Sequence, residues 1–477
     1  MKSSSGWLSP WVFLSSNWIS MAGVGLVTTA GISWLFLLPS TLHEMSNPYL
    51  GILTAMILPA IFFTGLALVP LGIWLRLKRE RARGSYPKEF PPLDWSSPEL
   101  RRLVIFVGTM TVLNLVIGSH TTYSAVSYMD SVTFCGLTCH TVMKPEYTAY
   151  QSSPHSRVEC TKCHIGPGAS WFVKAKISGM WQVFAVTFNT YERPIPTPVR
   201  NLRPARETCE ACHWPQKYGE DRLRASTVYG DDETNTAKKN VLLMRIGVIH
   251  SAHLREGVKI TYAASDEKRQ VIPWVKYNDT VFRAPDYKSD GPGNLPTREM
   301  DCMDCHNRPS HAFELPERSV NRAMRQHGIS TTLPFAKKTS IDVLKSAKDS
   351  AAVPSLFESF YQKSYPAVYS QRREEIRSSA KVVQAIFDRN VFPEMGIGWG
   401  AYPNNLGHND FPGCFRCHDD AKADRAGKKM GQDCNTCHSL LAMDEVAPKI
   451  LADLGVASEI ASNGAKAPAA EAPKKLK

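Results

Sequence analysis

Apolar and polar positions divide this chain sharply in two. Three uncharged apolar stretches come first, Ile19 to Leu38, Leu50 to Leu75 and Leu103 to Met129. A helix crosses a bilayer with about 20 apolar residues, so each stretch predicts a membrane span. The third leaves the apolar layer near Gly118 or His120, where Ser, Thr and Tyr become frequent, and Pro59 is placed to kink the second. Beyond them the pattern changes to short elements. Val241 to Ile246, Val258 to Tyr262 and Val271 to Tyr277 are β-branched and aromatic runs that predict strands of a small sheet. Residues 286–297 read as a Pro/Gly-rich loop. Apolar periodicity predicts helices over 316–328, 339–349 and 354–389. The segment 446–477, rich in Ala, Lys and Pro from Val456 on, reads as a disordered tail.

Charge orients the spans. Between the second and third lie Arg76, Lys78, Arg79, Arg81, Arg83, Lys88, Arg101 and Arg102, whereas the stretch from Pro39 to Tyr49 has no Lys or Arg. The positive-inside rule places the basic loop in the cytoplasm and everything after the third span outside. With no small-residue cleavage site after a short apolar region, the start reads as an uncleaved anchor.

All 12 cysteines fall into six pairs, each followed directly by His. They are Cys135/Cys139-His140, Cys160/Cys163-His164, Cys209/Cys212-His213, Cys302/Cys305-His306, Cys414/Cys417-His418 and Cys434/Cys437-His438. Five have the C-x-x-C-H spacing of a c-type haem attachment site, and the first, CGLTCH, carries one extra residue. In such a motif both thiols form thioethers to the porphyrin, and the His ligates the iron. Zinc sites and disulfides also use paired cysteines. Neither explains the His: it is 14 of 477 residues, so chance supplies all six roughly once in 10⁹. The sequence therefore predicts six covalently bound haems c. The predicted architecture is an α-helical membrane anchor of three spans plus a mostly α/irregular multihaem c domain with a small β-sheet insert.

Eight His remain, and a low-spin electron-transfer haem takes a second strong ligand, His or Met. Five lie among the motifs: His155, His250, His253, His311 and His408; Met143 follows His140 by three residues. One Met and five His would complete six haems. His250 and His253 sit at i and i+3 in a predicted turn, so either or both are candidates, and their pairing with particular haems stays open. His327, on an amphipathic helix with Val320 and Met324, reads as packing. The formal charge of +12 is largely answered by two propionates per haem and by the cytoplasmic loop, so no nucleic-acid partner is implied.

From Thr109 to Trp214 the chain resembles the NapC/NirT group of membrane-anchored multihaem cytochromes c. The resemblance is carried by a span leading into CGLTCHTVM, then SPHSRVECTKCH, SWFVKAKISGMWQVFAVTFNTY and RETCEACHWP. It implies oxidation of quinol (menaquinol or ubiquinol) at the outer face of a bacterial inner membrane and transfer to a periplasmic redox protein or reductase. It also implies a Lys contacting the quinol hydroxyl, here Lys174 or Lys176. Trp171, Phe172, Ile177, Trp181, Phe184 and Phe188 would form the interfacial face, and Glu146 is a candidate proton acceptor. Where the group usually has one span, four haems and a C-x-x-C-H first motif with Met two residues on, this chain has three, six, C-x₃-C-H and three. The extra spans suit contacts to other membrane subunits, and a wiring subunit or a terminal reductase are the rival functions. The domains expected are 1–122 (anchor), 123–222 (haems one to three), 223–300 (β-rich insert), 301–395 (haem four and helices), 396–445 (haems five and six) and 446–477 (tail).

Overall fold

The computed structural model describes residues 9–43, 56–87, 98–138, 140–166, 168–199, 203–214 and 219–455. The chain forms two compact units, Met1–Thr138 and Cys139–Lys477.

In the first unit the apolar stretches are helical. A short α1 (Ser9–Ser15) precedes α2 (Trp18–His43), α3 (Leu58–Ala82) and α4 (Pro98–Asp130). By length and composition α3 is apolar enough to cross a membrane, and Trp18–Trp34 is a shorter apolar stretch. Pro59 falls in the first turn of α3, where a missing N–H costs nothing, and the proline within the helix is Pro70. The basic run predicted as loop begins as helix: Arg76, Lys78, Arg79 and Arg81 occupy the last turns of α3, where cations complement the helix dipole. The fourth helix continues ten residues past His120.

The second and third helices touch through glycine. A Cβ on Gly65 would lie 2.8 Å from the Gly23 carbonyl oxygen and 2.9 Å from Leu26 Cβ, and Ser20 Oγ donates to Val69 O at 3.0 Å. Small residues allow this approach between apolar helices. Gly65→Leu is therefore expected to destabilise the helix pair by about 1–3 kcal/mol, lowering the midpoint of detergent-induced unfolding followed by circular dichroism. Gly25→Leu, with open space around its Cβ position, should leave that midpoint in place.

The second unit begins with α5 (His140–Gln151), α6 (Cys160–His164), α7 (Ala169–Thr187) and α8 (Ala205–Cys209). Strands β1 (Arg222–Tyr229) and β2 (Ala237–Met244) lead to α9 (Ile246–Leu254). Then come β3 (Ile260–Ala263), β4 (Trp274–Tyr277), β5 (Thr280–Arg283) and β6 (Thr297–Glu299). After α10 (Cys302–Cys305) five helices follow: α11 (Pro316–Arg325), α12 (Ala336–Ser346), α13 (Ala352–Ser364), α14 (Pro366–Gln371) and α15 (Arg373–Asn390). The described chain closes with α16 (Cys434–Cys437), β7 (His438–Glu445) and α17 (Lys449–Asp453). The fold is thus mostly helical with two small antiparallel sheets, ordered β1-β2-β7 and β5-β4-β3-β6.

The three predicted runs supply β2, β3 and β4, divided between the two sheets, and β1, β5, β6 and β7 are added to them, the last from a place that local pattern did not show. Leu242 and Met244 of β2 register against Leu440 and His438, so chain following the sixth cysteine pair completes the first sheet. Val241, Ala442 and Leu451 form its small core, which places α17 in folded structure rather than in a tail; residues 456–477 lie outside those described. The helix predicted over 354–389 is three helices. Pro366 lacks an N–H and starts α14, and Arg372 ends it by turning back to Glu375 and Thr332. Around these helices Met324, Leu344, Phe357, Tyr361, Ile376 and Val383 are fully buried. A second core joins Val142 and Ala149 of α5 to Phe313, Phe392, Met395 and Tyr402.

Candidate haem centres

One helical turn presents residues i and i+3 on the same side. Cys160/Cys163, Cys302/Cys305 and Cys434/Cys437 are held this way on α6, α10 and α16, and Cys414/Cys417 by a 3₁₀ turn, Gly413–Arg416. Asp301 fixes α10 with a capping box: its carboxylate accepts from Met303 N at 2.8 Å, and Asp304 accepts from Asp301 N at 2.7 Å. In the first motif Phe134–Thr138 form a π-turn, the wider turn that absorbs one extra residue. Cys139 and the His140 side chain lie outside the described residues, so no geometry is assigned there; Met143 sits on the first turn of α5.

The structure brings the motif His and the other His together. Ring centroids are 6.3 Å apart for His164 and His311, 6.0 Å for His155 and His213, 6.0 Å for His253 and His418, and 6.2 Å for His408 and His438. Imidazole nitrogens sit about 2.0–2.1 Å from a ligated metal, and the ring centroid is about 1.1 Å beyond, so two imidazoles sharing one iron have centroids about 6.2 Å apart. Each pair is spaced so that it would accommodate an iron between its rings. His306 has both His250 and His213 in its neighbourhood. His250 and His253 lie on one helix, α9, and not in a turn. His327 lies exposed in a left-handed turn, φ 57°, after α11, rather than in the packed face.

Backbone carbonyls orient four of these rings. His253 Nδ1 is 2.7 Å from Ile249 O, His311 Nδ1 3.0 Å from Glu146 O, His418 Nδ1 3.0 Å from Gly431 O, and His155 Nδ1 3.2 Å from Pro309 O. A carbonyl only accepts, so Nδ1 carries the proton and the Nε2 lone pair is left for a metal. Burial pushes the His253, His306 and His311 imidazoles below their ordinary pKa, which keeps the neutral, ligating form.

Glu146 is part of this scaffold. Its carboxylate lies 3.3 Å from Arg308 Nη2 and 3.5 Å from His311 Nδ1, with the Arg308 and Glu146 side chains only 8% and 12% exposed. The Arg308 guanidinium stacks 4.3 Å over Tyr402 and 5.3 Å over Phe313. The carboxylate is thus engaged in a buried pair, and burial with its nearby charge pushes the Tyr402 phenol up to about 12.

Successive motifs are neighbours. Cys163 lies beside Cys212, the Cys209 thiol is in hydrogen-bond contact with the Cys302 thiol, Cys305 lies beside Cys414 and Cys417, and Cys414 beside Cys437. Arg416, inside the fifth motif, donates to Asp304 O in the fourth at 2.5 Å, and Asn405 Nδ2 donates to the same oxygen at 3.1 Å. Asp304 itself is buried, accepting from Tyr262 Oη at 2.5 Å and Arg298 Nε at 3.1 Å. Sequence reasoning passed over this network, although the Asp-x-x-Asp spacing of Asp301 and Asp304 is the signal of a capped turn.

On α7 the apolar residues Val173, Ile177, Trp181, Phe184 and Phe188 recur at helical spacing and are exposed. Lys174 Nζ sits 4.6 Å over the Trp171 ring. The side chains of Lys176 and Phe172 lie outside those described.

These residues fit haem c better than the alternatives. Among the described residues no three His, Cys, Asp or Glu side chains gather as a zinc cage would require, and the described cysteines are free thiols. The NapC/NirT cytochrome c family, N-terminal region, matches residues 97–195. The chain is also 38% identical over 447 residues to the cytochrome c-type protein ImcH of Geobacter sulfurreducens, covering 89% of this chain and 88% of that one. No solved structure matches. Paired imidazoles at iron spacing, an apolar helix of membrane length and these likenesses agree: the chain belongs to the NapC/NirT family, as a membrane-associated multihaem c-type cytochrome.

Proposed function

We propose that this chain carries six haems c, spans the inner membrane with α2, α3 and α4, oxidises quinol at the outer face and passes the electrons to a periplasmic redox protein. The observation that carries the electron-transfer reading is the closed pairing of the described motifs. In this reading His311, His155, His250, His253 and His408 are the distal ligands of motifs two to six in the order two, three, four, five, six, and Met143 is the candidate for motif one. A terminal reductase needs an open iron position, and every motif from the second to the sixth has a His at hand to close it.

Haem c, when bound, supplies one-electron redox chemistry at each motif, and the chain's residues do the rest. The paired cysteines hold the porphyrin and the two imidazoles hold its iron. The neighbouring cysteine pairs set the motifs in a continuous line from the second to the sixth. The exposed apolar stripe of α7 supports a helix lying in the membrane interface, where an apolar face meets lipid and a Lys reaches the headgroups. There Lys174, with Lys176, holds the quinol hydroxyl, the role implied by the family resemblance. Glu146, engaged with Arg308 and His311, acts as a positioning residue for His311, and the carboxylate's place in a buried pair argues against its serving as an open proton acceptor.

Purified chain in detergent, mixed with a menaquinol analogue and followed by absorbance, tests the reading. Fast reduction is expected, and a Lys174→Ala/Lys176→Ala variant should lose roughly 10–100-fold in rate, the cost of removing a group that orients a reactant. A wild-type sample that stays oxidised with the quinol yet reduces with dithionite would transfer quinol oxidation to another membrane subunit.

A further inference from the structure

The hydrogen bonds to the axial rings are distributed unevenly between the fifth and sixth motifs. At the fifth, both imidazoles donate Nδ1–H to a backbone carbonyl: His253 to Ile249 O at 2.7 Å and His418 to Gly431 O at 3.0 Å. At the sixth, His438 Nδ1 is buried and has no hydrogen-bond acceptor among the described residues. Its partner His408 is held by stacking, its ring 4.3 Å from Phe415 at an interplanar angle of 18°. The two sites adjoin, since Cys414 lies beside Cys437 and Phe415 belongs to the fifth motif.

An Nδ1–H bond to an acceptor gives the imidazole anionic character and makes its Nε2 a stronger donor to iron. A stronger donor favours the ferric state, which lowers the reduction potential; the absence of such bonds leaves the potential higher. The carbonyls at motif five are main-chain atoms fixed by α9 and by the turn preceding α16, so the bias is built into the fold. Resting on the six-haem reading above, we propose that a haem iron at motif six would have a higher reduction potential than one at motif five, so that motif five feeds motif six. With haems bound, one electron would pass from motif five to motif six, with no proton transferred and no bond broken. The donor is the quinol and the eventual oxidant a one-electron periplasmic acceptor. Electrons reaching motif five would therefore pass on to motif six, from which that acceptor takes them.

Ring orientation supplies the means of telling these irons apart. The planes of His408 and His438 are 23° apart, whereas those of His253 and His418 are 72° apart and those of His155 and His213 75° apart. Near-parallel imidazoles split the ferric orbitals and give a rhombic low-spin EPR spectrum. Near-perpendicular ones leave them almost degenerate and give a strongly anisotropic spectrum. Potentiometric titration of the holoprotein followed by EPR is the test, with the haem-bearing peptides counted by mass spectrometry in the same preparation. His408→Met should abolish the rhombic signal assigned to motif six, and His253→Met one of the strongly anisotropic signals. On stepwise reduction the signal that His408→Met removes is expected to disappear ahead of the signal that His253→Met removes. Coincident disappearance, or the reverse order, in a chain shown to carry six haems would overturn the proposal. Fewer than six haem peptides would overturn the six-haem reading instead. If either variant does not fold, His438→Met and His418→Met, which change the opposite ligand of the same two motifs, assign the same two signals.

Discussion

A Cys302→Ser/Cys305→Ser variant is expected to accept electrons from quinol and fail to deliver them. The fourth motif stands between Cys209 of the third and Cys414 and Cys417 of the fifth. Removing its two thiols removes covalent attachment at the centre of the line. His306 and His250 alone would have to retain the haem, with no thioether. We expect steady-state transfer to a periplasmic acceptor to fall by at least the roughly 100-fold that changes around a metal site reach. The motifs before the gap should still reduce with quinol, and those after it only with dithionite. Difference spectra taken with each reductant separate the two populations. Because Asp301 and Asp304 cap α10 without help from the thiols, the turn should survive the substitution. Unchanged transfer, with one haem missing by mass, would mean that the motifs do not act in series.

Arg308→Ala should be among the most destabilising single substitutions outside the motifs. Arg308 and Glu146 are almost entirely buried, and truncating one partner of a buried pair leaves an uncompensated charge at a cost of about 3–5 kcal/mol. Stacking over Tyr402 and Phe313 is lost as well. Measured against a total stability of about 5–15 kcal/mol for a domain, this is a large fraction. The thermal midpoint of the holoprotein should fall, while Arg308→Met/Glu146→Gln should recover much of the loss because it removes both charges. The same Glu146 supports His311, so the single variant should also alter the EPR signal of one haem. A midpoint within error of wild type would show that the pair is solvated in the protein.

Several elements were legible because they depend on nearby residues. The apolar stretch that became α3, the runs that became β2, β3 and β4, and the Pro/Gly-rich loop before β6 all follow from local periodicity or turn chemistry. Where the reading diverged, a distant contact decided the outcome. The strand β7 exists because β2 offers an edge two hundred residues earlier in the chain; Asp444 N donates to Asn240 Oδ1 across a separation of 204 residues. Nothing in the run from His438 to Glu445 distinguishes it from an exposed segment with a few apolar residues. Similarly, the engagement of Glu146, a candidate proton acceptor by sequence, with Arg308 was not legible, because Arg308 lies 162 residues away.

The sequence by itself determined which cysteines pair by spacing, which His follows each pair, and in what order the motifs come. These are local properties, because one turn of backbone places two thiols and a ring beside the same porphyrin. It also determined that apolar helices precede the haem-bearing region, since an uncharged run of that length is favourable only in lipid or in a core. Only the tertiary structure decided which second imidazole faces which motif. His311 comes to His164, His155 to His213 and His253 to His418 because packed helices and a carbonyl at each Nδ1 hold them there. A ligand pair of this kind joins residues from distant parts of the chain. It is therefore set by the packing of the whole unit, and local pattern contains no record of that packing.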